Sequence, residues 1–549
     1  MIESQFAEEA FRHLKEIARR PEEEQEKLLL RILRRNRDTV FGKKYGFERI
    51  RSVSDYQKAV PFTSFEDYDA LIEREISGER GVFTADPPYF YCISSGSMGV
   101  QKYFPLTKED AVLQHRYWDG AIRAIIRKDL PEYTEEELFG KIFLMSDAYL
   151  TFMPDGIMNG VRSGVASRMQ HEDGTYPYEL FYAPEEVLFP KKLTDIQYVK
   201  LRLALEQPDI TAIHANFVHK CTAMLRYLER HWDAILYDME NGTVSPEFHV
   251  DEEWEVYLKE KLPPNPKRAE ELRRFSGPDL SDRLIRKIWP NVKYLRLSSG
   301  MQFHPYIEIL DHYSGNLPVF PFLYAASEGM FSVAAGVGRM DEYIMIPDLC
   351  FFEFLPEEDE NGPCLTLTEL KEGERYEILV TTVSGLYRYR LGDVIEVRGF
   401  YEKTPLVSIN YRKSQVLNLS DEKMNAAQFE GAMNDFIEET GMNAVGYCVA
   451  GNREKDPPCY RVFLEAGGDP PDDPSALMDQ KLSDNCFGYR GSRESEELSQ
   501  AELVLLPPNT FEDYEKHNAK KSKRNEQTKP LKIITSQEQI DYFNRKGKI

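Results

Sequence analysis

The residues best suited to chemistry lie between Tyr91 and Thr107, where serines and glycines precede a lysine. In order they are Ser94, Ser95, Gly96, Ser97, Met98, Gly99, Val100, Gln101 and Lys102. Glycine permits positive φ and a close approach of the backbone to a ligand, so several backbone N–H groups can point at one set of oxygens. Serine hydroxyls and the lysine ammonium add donors and positive charge. The pattern favours a phosphate-binding loop, although an ordinary polar hairpin loop fits the same residues.

Two common motifs do not match this loop. The P-loop of many ATPases requires Gly-Lys-Ser/Thr leading into a helix, whereas Tyr103 follows Lys102 here. The nucleophile elbow requires glycine two residues before the serine, and Ser95 occupies that position ahead of Ser97. The loop is therefore not predicted to hold either a P-loop lysine or a hydrolase nucleophile.

The segments that flank the loop predict the elements that position it. Short apolar and aromatic runs at residues 89–93 and 103–106 predict two strands. Thr107 and Asp110 then predict the N-terminal cap of a helix that continues through apolar positions to Ile126. Farther on, residues 154–164 are rich in glycine and polar residues, which is typical of a surface loop or of a pocket lining.

Two later segments follow predicted strands in the same way. They are Tyr324, Ala325, Ala326, Ser327, Glu328, Gly329, and then Gly385, Leu386, Tyr387, Arg388, Tyr389, Arg390, Leu391, Gly392, Asp393. With the first loop, these segments resemble the three nucleotide motifs of the auxin-responsive GH-three family of acyl acid amido synthetases. That family is part of the firefly-luciferase-like adenylating superfamily, and the chain resembles a bacterial-type homologue along nearly its whole length.

The resemblance implies roles for individual residues. Ser95, Lys102 and Lys529 would be catalytic, and Glu328 would hold Mg²⁺. Asp393 would accept hydrogen bonds from the ribose hydroxyls of ATP. The implied nucleotide-binding set is Ser94, Ser95, Gly96, Ser97, Gly99, Ser299, Gly300, Tyr324, Ser327, Glu328, Asp393 and Arg412.

Each of these roles has a simpler alternative, and the motifs depart from the usual family pattern. Glu328 could simply be an acidic residue at the start of a helix, and Asp393 could cap a turn. Lys529 could belong to a solvated basic segment. Only Ser97 and Met98 separate Gly96 from Gly99, so the loop is one residue and one hydroxyl shorter than the family usually has. Ala326 stands where serine is common.

Composition limits the partners and the location. The chain has 549 residues, a formal net charge of −23 and 42% hydrophobic residues. Such a charge argues against nucleic acid or an anionic membrane as a general partner, because both favour a positive surface. The seven cysteines include no C-x-x-C pair, which favours reduced thiols in the cytoplasm. No run of about 18 apolar residues predicts a membrane span.

No metal cluster is predicted from the histidines. His214, His219 and His231 share one extended helical pattern, without the spacing and acidic neighbour of a zinc motif. Packing or surface roles are therefore expected for all three.

The predicted fold class is α/β and luciferase-like, with a large multi-sheet N-terminal domain and a small α/β C-terminal lid. The expected boundaries are residues 1–417 for the ATP- and acyl-binding domain, 418–427 for a hinge and 428–549 for the mobile lid. The length alone exceeds what one hydrophobic core usually serves. We expect a monomer.

The resemblance implies an ATP-dependent ligase that adenylates a small carboxylic acid and transfers the acyl group to an amino acid, releasing pyrophosphate and AMP. Three alternatives stay open. A coenzyme A ligase would share the first half-reaction, a nucleotide-binding regulatory protein would bind ATP without turnover, and a structural interaction protein would bind no ATP.

Overall fold

The architecture comes from a computed structural model. The structure describes residues 4–95, 101–146, 150–172, 187, 196–298, 304–359, 362–412, 416–417, 419, 424–455, 457–494, 498–522, 533–534 and 536–547. Within these ranges, no helix combines the length and the apolar character needed to cross a membrane.

Contacts along the chain divide it into two compact units. The first contains residues 1–94, 101–391 and 395–409, and the second contains residues 95–100, 392–394 and 410–549. The hinge at 418–427 stays a prediction.

Along the described chain, helices predominate before Phe90 and strands predominate between Val319 and Asn425. The strands are β1 (Phe90–Ser95), β2 (Gln101–Leu106), β3 (Lys141–Leu144), β4 (Leu150–Phe152), β5 (Met158–Gly160), β6 (Ile210–Phe217), β7 (Tyr294–Ser298), β8 (Val319–Phe320), β9 (Ala325–Ala326), β10 (Gly329–Met330), β11 (Ser332–Ala334), β12 (Tyr343–Met345), β13 (Cys350–Pro356), β14 (Leu365–Thr366), β15 (Arg375–Thr382), β16 (Tyr389–Tyr401), β17 (Thr404–Arg412), β18 (Val416–Leu417), β19 (Met424–Asn425), β20 (Asn443–Asn452), β21 (Cys459–Gly467) and β22 (Glu502–Leu506).

The helices are α1 (Ser4–Ala18), α2 (Pro21–Arg35), α3 (Val40–Lys44), α4 (Val53–Ala59), α5 (Asp69–Ile76), α6 (Lys108–His115), α7 (Ile122–Asp129), α8 (Glu135–Phe139), α9 (Ser163–Glu172), α10 (Ile196–Leu205), α11 (Val218–Arg230), α12 (Trp232–Asn241), α13 (Glu252–Lys261), α14 (Pro266–Arg273), α15 (Leu284–Ile288), α16 (His304–Ser314), α17 (Ala426–Thr440), α18 (Pro474–Asn485), α19 (Phe487–Glu494), α20 (Thr510–Ser522) and α21 (Gln537–Lys546). Short 3₁₀ turns at Phe47–Arg49 and Phe65–Asp67 and a π-helical segment at Arg116–Ala121 complete the set.

A four-stranded sheet carries the strand that leads into the predicted phosphate loop. Its order is β2-β1-β5-β4, with β1 parallel to β5 and β4 antiparallel to β5. The two strands predicted around the loop are present as β1 and β2. Thr107 caps α6 as expected, since its hydroxyl accepts a hydrogen bond from the Asp110 backbone N–H at 3.4 Å.

A second sheet, β3-β6-β7-β8, is parallel throughout and has its own hydrophobic core. His214 lies in β6, so its assignment to the helical pattern was wrong. A parallel strand that is covered on both faces reads as a continuous apolar run, which periodicity cannot separate from a buried helix. The imidazole of His214 is buried, and this burial lowers its pKa well below the usual value.

The third large sheet has the order β11-β12-β17-β16-β15-β13-β14. The predicted hairpin of the last motif is present, because β15 and β16 are neighbours joined by a turn at Ser384 and Gly385. Gly385 has φ +99°, and a Cβ built on it would lie 2.9 Å from the Phe83 Cβ. Only glycine fits this turn without strain or displacement of the neighbouring chain.

The second unit is a small α/β structure, as the sequence predicts for the C-terminal part. Its sheet has the order β20-β21-β22, antiparallel between β20 and β21 and parallel between β21 and β22. One apolar cluster packs α17, α18 and α19 against this sheet, and another contains residues of α20 and α21.

A buried acidic group lies beside β1 in the first unit. Glu75 is 1% exposed, and neither of its carboxylate oxygens has a hydrogen-bond partner among the described residues. Burial raises the pKa of Glu75 to about 8, with Arg80 acting to lower it and Asp155 to raise it. Arg80 and the Tyr91 hydroxyl both donate to the same Asp155 oxygen, at 3.4 Å and 3.3 Å, and the charge of Glu75 also acts on the Tyr91 phenol.

We expect Glu75→Gln to remove a pH dependence of stability. Because the folded protein holds the Glu75 proton more tightly than the unfolded chain, the contribution of Glu75 to wild-type stability is greatest below the unfolded pKa of 4.5 and is lost as pH rises toward about 8. The slope for one such group is about 1.4 kcal/mol per pH unit. Thermal unfolding between pH 5 and pH 8.5 should show the advantage of the variant growing with pH.

Glu73→Gln is the matched control, since Glu73 is exposed on the same helix. It should leave the wild-type pH dependence unchanged. If the stability of Glu75→Gln and the stability of the wild type change equally with pH, Glu75 is not protonated in the folded state.

Candidate active site

The end of β1 delivers the first residues of the predicted phosphate loop. Ser94 and Ser95 are the last residues of β1. The loop itself, with Gly96, Ser97, Met98 and Gly99, lies outside the described residues, so its predicted contacts stay predictions. Strand β1, which precedes the loop, is held by contacts with several other elements.

The middle motif forms a tight turn that is attached to β1. Strands β9 and β10 pair antiparallel, with Ala326 opposite Gly329, and Ser327 and Glu328 form the turn between them. The Ser327 hydroxyl donates to the backbone carbonyl of Ile93 at 2.7 Å. The Ser327–Glu328 turn therefore lies beside the residue that immediately precedes Ser94.

Arg162 holds this turn from the other side. Its guanidinium donates to the Asp110 carboxylate at 3.1 Å, to the Gln114 side-chain oxygen at 3.2 Å and to the backbone carbonyl of Ser327 at 3.4 Å. The side chains of Arg162 and Asp110 are 6% and 9% exposed. Sequence reasoning missed Arg162, which lies within the polar stretch 154–164.

Asp110 links the same network to the β15–β16 turn. The Ser384 hydroxyl donates to the second Asp110 oxygen at 2.9 Å and accepts a hydrogen bond from the Thr107 backbone N–H at 3.0 Å. The cap of α6, the β15–β16 turn, Arg162 and the Ser327–Glu328 turn thus form one buried polar network next to β1. We refer to Arg162, Asp110, Gln114, Ser384 and Ser327 as the β1 network.

The electrostatic environment inside this network shifts the pKa values of Arg162 and of the neighbouring Cys92. Burial is the largest single effect on the pKa of Arg162 and acts to lower it. The attraction of Asp110, the effects of nearby cysteines and the hydrogen bond to Asp110 together raise that pKa above the usual value. Burial raises the pKa of the neighbouring Cys92 thiol to about 12, so this cysteine is a neutral packing residue.

Glu328 is the group in the turn that could hold a cation. It is 8% exposed, and its negative charge contributes to the raised pKa of Cys92. Within the described ranges no side chain forms an ion pair or hydrogen bond with its carboxylate. A nearly buried carboxylate with no partner in the described part of the chain suits Mg²⁺, because this ion takes few protein oxygens and keeps other ligands.

In the second unit, the structure brings together two of the predicted nucleotide-binding residues. The Arg412 guanidinium donates to both oxygens of Asp393, at 2.5 Å from Nε and 2.9 Å from a terminal nitrogen. Asp393 is 5% exposed. Each carboxylate oxygen can accept more than one hydrogen bond, which is the property that binding a pair of hydroxyl groups requires.

Two predicted residues have side chains that pack against aromatic rings. The Lys102 ammonium lies 4.6 Å from the centroid of the Phe65 ring, and Tyr324 is buried with its ring 5.0 Å from that of Phe331. Neither contact tests the predicted nucleotide role. Ser299, Gly300 and Lys529 lie outside the described residues.

Comparison with family models identifies the chain over most of its length. Residues 10–319 match the GH3 family N-terminal domain, residues 343–412 the GH3 family central domain and residues 427–538 the GH3 family C-terminal domain. The chain belongs to the GH3 family. Its two central motifs, with Ser327 and with Asp393, fall in or next to the matched regions.

Similar GH3 proteins are plant enzymes. The chain is 25% identical over 529 residues to the Arabidopsis thaliana indole-3-acetic acid-amido synthetase GH3.3, covering 92% of this chain and 88% of that protein. It is 26% identical to the jasmonoyl-L-amino acid synthetase GH3.5 of Oryza sativa subsp. japonica, covering 90% and 89%. The predicted family and enzyme class, an amide-forming ligase of the adenylating superfamily, are confirmed; the bacterial-type assignment stays a prediction.

Solved structures support the fold. The structure of AtGH3.15 acyl acid amido synthetase in complex with 2,4-DB has a TM-score of 0.87 at 21% identity, covering 100% of this chain and 98% of that one. A 2-hydroxyisobutyryl-CoA ligase has a TM-score of 0.53 at 11% identity, covering 98% and 91%. The predicted luciferase-like α/β fold is confirmed.

We expect Arg162→Met to destabilise the first unit strongly, because it leaves the buried Asp110 carboxylate without its cation. Breaking a buried ion pair from one side typically costs about 3–5 kcal/mol. The double variant Arg162→Met/Asp110→Asn should be more stable than Arg162→Met alone. Thermal unfolding of the wild type, the two single variants and the double variant measures the coupling.

Glu377→Gln provides a reference for losing an Arg–carboxylate pair elsewhere, since Glu377 accepts two hydrogen bonds from Arg390. Equal unfolding temperatures for wild type and Arg162→Met would contradict the role assigned to the β1 network.

Proposed function

We propose that this protein is an ATP-dependent acyl acid amido synthetase that adenylates a small carboxylic acid and transfers the acyl group to the amino group of an amino acid. The observation that carries the proposal is the attachment of the Ser327–Glu328 turn to Ile93 in a GH3 chain. It keeps the Glu328 carboxylate, which has no partner among the described residues, beside the strand that enters the predicted phosphate loop. Membership of the family supports the same reaction class.

ATP would be bound by the residues that the motifs suggest. Backbone N–H groups and hydroxyls of the loop from Ser94 to Gly99 would hold phosphate oxygens. Asp393, oriented by Arg412, would accept hydrogen bonds from the ribose hydroxyls. Glu328 would hold Mg²⁺, which when bound supplies positive charge that offsets the charge of the phosphates.

In the first half-reaction, a carboxylate oxygen of the acid attacks the α-phosphorus of ATP, and the bond to the pyrophosphate oxygen breaks. In the second, the amine attacks the acyl carbon and AMP leaves, with one proton released from the amine. No protein nucleophile takes part. Positioning and stabilisation of charge then provide most of the catalysis, which suits a site made of loop amides, a lysine and a rigidly held turn.

The substrates belong to the proposal at the level of class. The relatives are named for indole-3-acetic acid and for jasmonoyl-amino acid synthesis. We propose an organic acid as the acyl donor, an amino acid as the acceptor, and a monomer in the cytoplasm as the working form. The second candidate is an acyl-CoA ligase, which the fold shared with 2-hydroxyisobutyryl-CoA ligase favours.

The decisive experiment measures pyrophosphate release from ATP across a panel of carboxylic acids, including indole-3-acetate and jasmonate. Active acids are then incubated with mixed amino acids or with coenzyme A, and products are identified by mass spectrometry. An acyl-amino acid product supports the proposal, and an acyl-CoA product supports the ligase. ATP binding without carboxylate-dependent pyrophosphate release would favour a regulatory protein. Absence of ATP binding would favour a structural protein.

We predict that Asp393→Asn weakens ATP binding. A hydrogen bond to a charged group contributes about 1.5–3 kcal/mol, so the apparent ATP affinity should fall roughly 10- to 150-fold. The control is Glu377→Gln, which disrupts a comparable bidentate pair with Arg390, since Glu377 itself lies outside the three nucleotide motifs. Unchanged ATP affinity in folded Asp393→Asn would exclude the ribose assignment.

We predict that Lys529→Ala slows adenylation while leaving ATP affinity nearly unchanged. A lysine supplied by a mobile lid would act mainly in the transition state, where charge develops between the α-phosphate and the leaving pyrophosphate. Amine capture from a preformed acyl adenylate should tolerate the change better, and single-turnover kinetics of each step measures the difference. Lys532→Ala, three residues away in the same basic segment, should change neither step. Equal losses in both steps would remove the assigned role.

A further inference from the structure

A basic surface depression in the N-terminal part of the first unit is not used by the proposed reaction. Its volume is about 550 Å³, and the chain from Lys43 to Ala59 lines it. Ligand pockets typically have volumes of about 300–1,000 Å³. The depression therefore has room for a small organic molecule.

Cationic side chains dominate its lining. Lys43 and Lys44 come from the end of α3, Arg49 from the 3₁₀ turn and Lys58 from the last turn of α4. Among the described carboxylates, none forms an ion pair with any of the three lysines. In a chain of formal charge −23, a depression lined by four cationic and two acidic side chains is a local reversal of sign.

The two acidic residues of the lining have other contacts. Glu48 forms an exposed pair with its neighbour Arg49 at 3.6 Å. Asp55 accepts a hydrogen bond from the Arg51 backbone N–H at 3.0 Å, and that contact is the leading reason for its lowered pKa. The charge of Lys58 also acts to lower the pKa of Asp55, so Asp55 partly offsets that charge, whereas Lys43 and Lys44 have no ion-pair partner among the described carboxylates.

Apolar surface completes the depression. The half-buried Tyr45 and the exposed Ala59 line it, and the Lys44 ammonium lies 4.9 Å from the centroid of the Tyr45 ring. Gly46 adopts φ +65° next to Tyr45, which turns the chain from α3 into the 3₁₀ turn. A ligand can thus combine an anionic end with an organic body.

Lysines near helix C-termini also interact favourably with the helix dipole. That effect does not explain their arrangement, because α3 and α4 have only 5 and 7 residues, and the lysines of both helices line the same depression. A phosphate group suits a site lined by several lysines, because its terminal oxygens carry negative charge and accept hydrogen bonds from ammonium groups.

We propose that this depression, lined by Lys43, Lys44 and Lys58, binds a small phosphorylated organic molecule at a site separate from the proposed nucleotide-binding residues. The inference does not depend on the proposed function, because none of these residues has a role in adenylation. Binding should be weak at high ionic strength, since the depression is open to solvent and its charges are screened.

Isothermal titration calorimetry with fructose 1,6-bisphosphate at about 50 mM salt tests the proposal. The wild type should bind one equivalent, and Lys43→Gln/Lys58→Gln should bind at least about tenfold more weakly. Lys58→Glu provides a second variant with a reversed charge and should lose binding as well. The control Lys259→Gln replaces a lysine of α13 that pairs with Glu255, and it should bind like the wild type.

Competing anions define the ligand class. Inorganic phosphate should compete with the sugar bisphosphate, whereas fructose and succinate should not. Absence of heat with the wild type, wild-type affinity in Lys43→Gln/Lys58→Gln, or equal competition by succinate would overturn the proposal. Pyrophosphate release in the lysine variants should match the wild type, so loss of the proposed activity and loss of this site are separate results.

Discussion

The buried ion pair between Arg162 and Asp110 is the interaction on which the geometry around β1 depends. Two charges removed from water are favourable only when their remaining hydrogen-bonding capacity is used. Here Gln114 and the Ser327 carbonyl accept from Arg162, while Ser384 donates to Asp110. Satisfying the pair therefore brings together turns that are far apart in the sequence.

The same network explains how a two-residue turn can carry a functional carboxylate. Ser327 is bound through both its hydroxyl and its carbonyl, to Ile93 and to Arg162. These contacts restrict the backbone that carries Glu328 while leaving its carboxylate without a partner among the described residues. Supporting a reactive group through its neighbours is a common way to hold it in position without neutralising it. In the second unit, Arg412 holds Asp393 directly.

Individual sites differ in charge from the chain as a whole. The strongly acidic composition argues against polyanionic partners for the whole surface, yet the depression at Lys43 and Lys58 has the opposite sign. Buried Glu75 is a different case, because its raised pKa makes it a neutral group over much of the physiological range. Net charge thus predicts average behaviour, while burial and clustering determine the behaviour of individual sites.

The sequence alone determined the local elements and the motif order. The apolar runs predicted β1 and β2, Thr107 predicted the cap of α6, and the ordered motifs indicated the family. It did not reveal Arg162, because an arginine in a glycine-rich polar stretch is ordinarily exposed, nor the strand that contains His214, because a doubly covered strand has no period of two. Only the tertiary structure decided which polar residues contact each other. Arg162 and Asp110 are separated by 52 positions in the sequence. Packing brings them together and excludes water around both side chains.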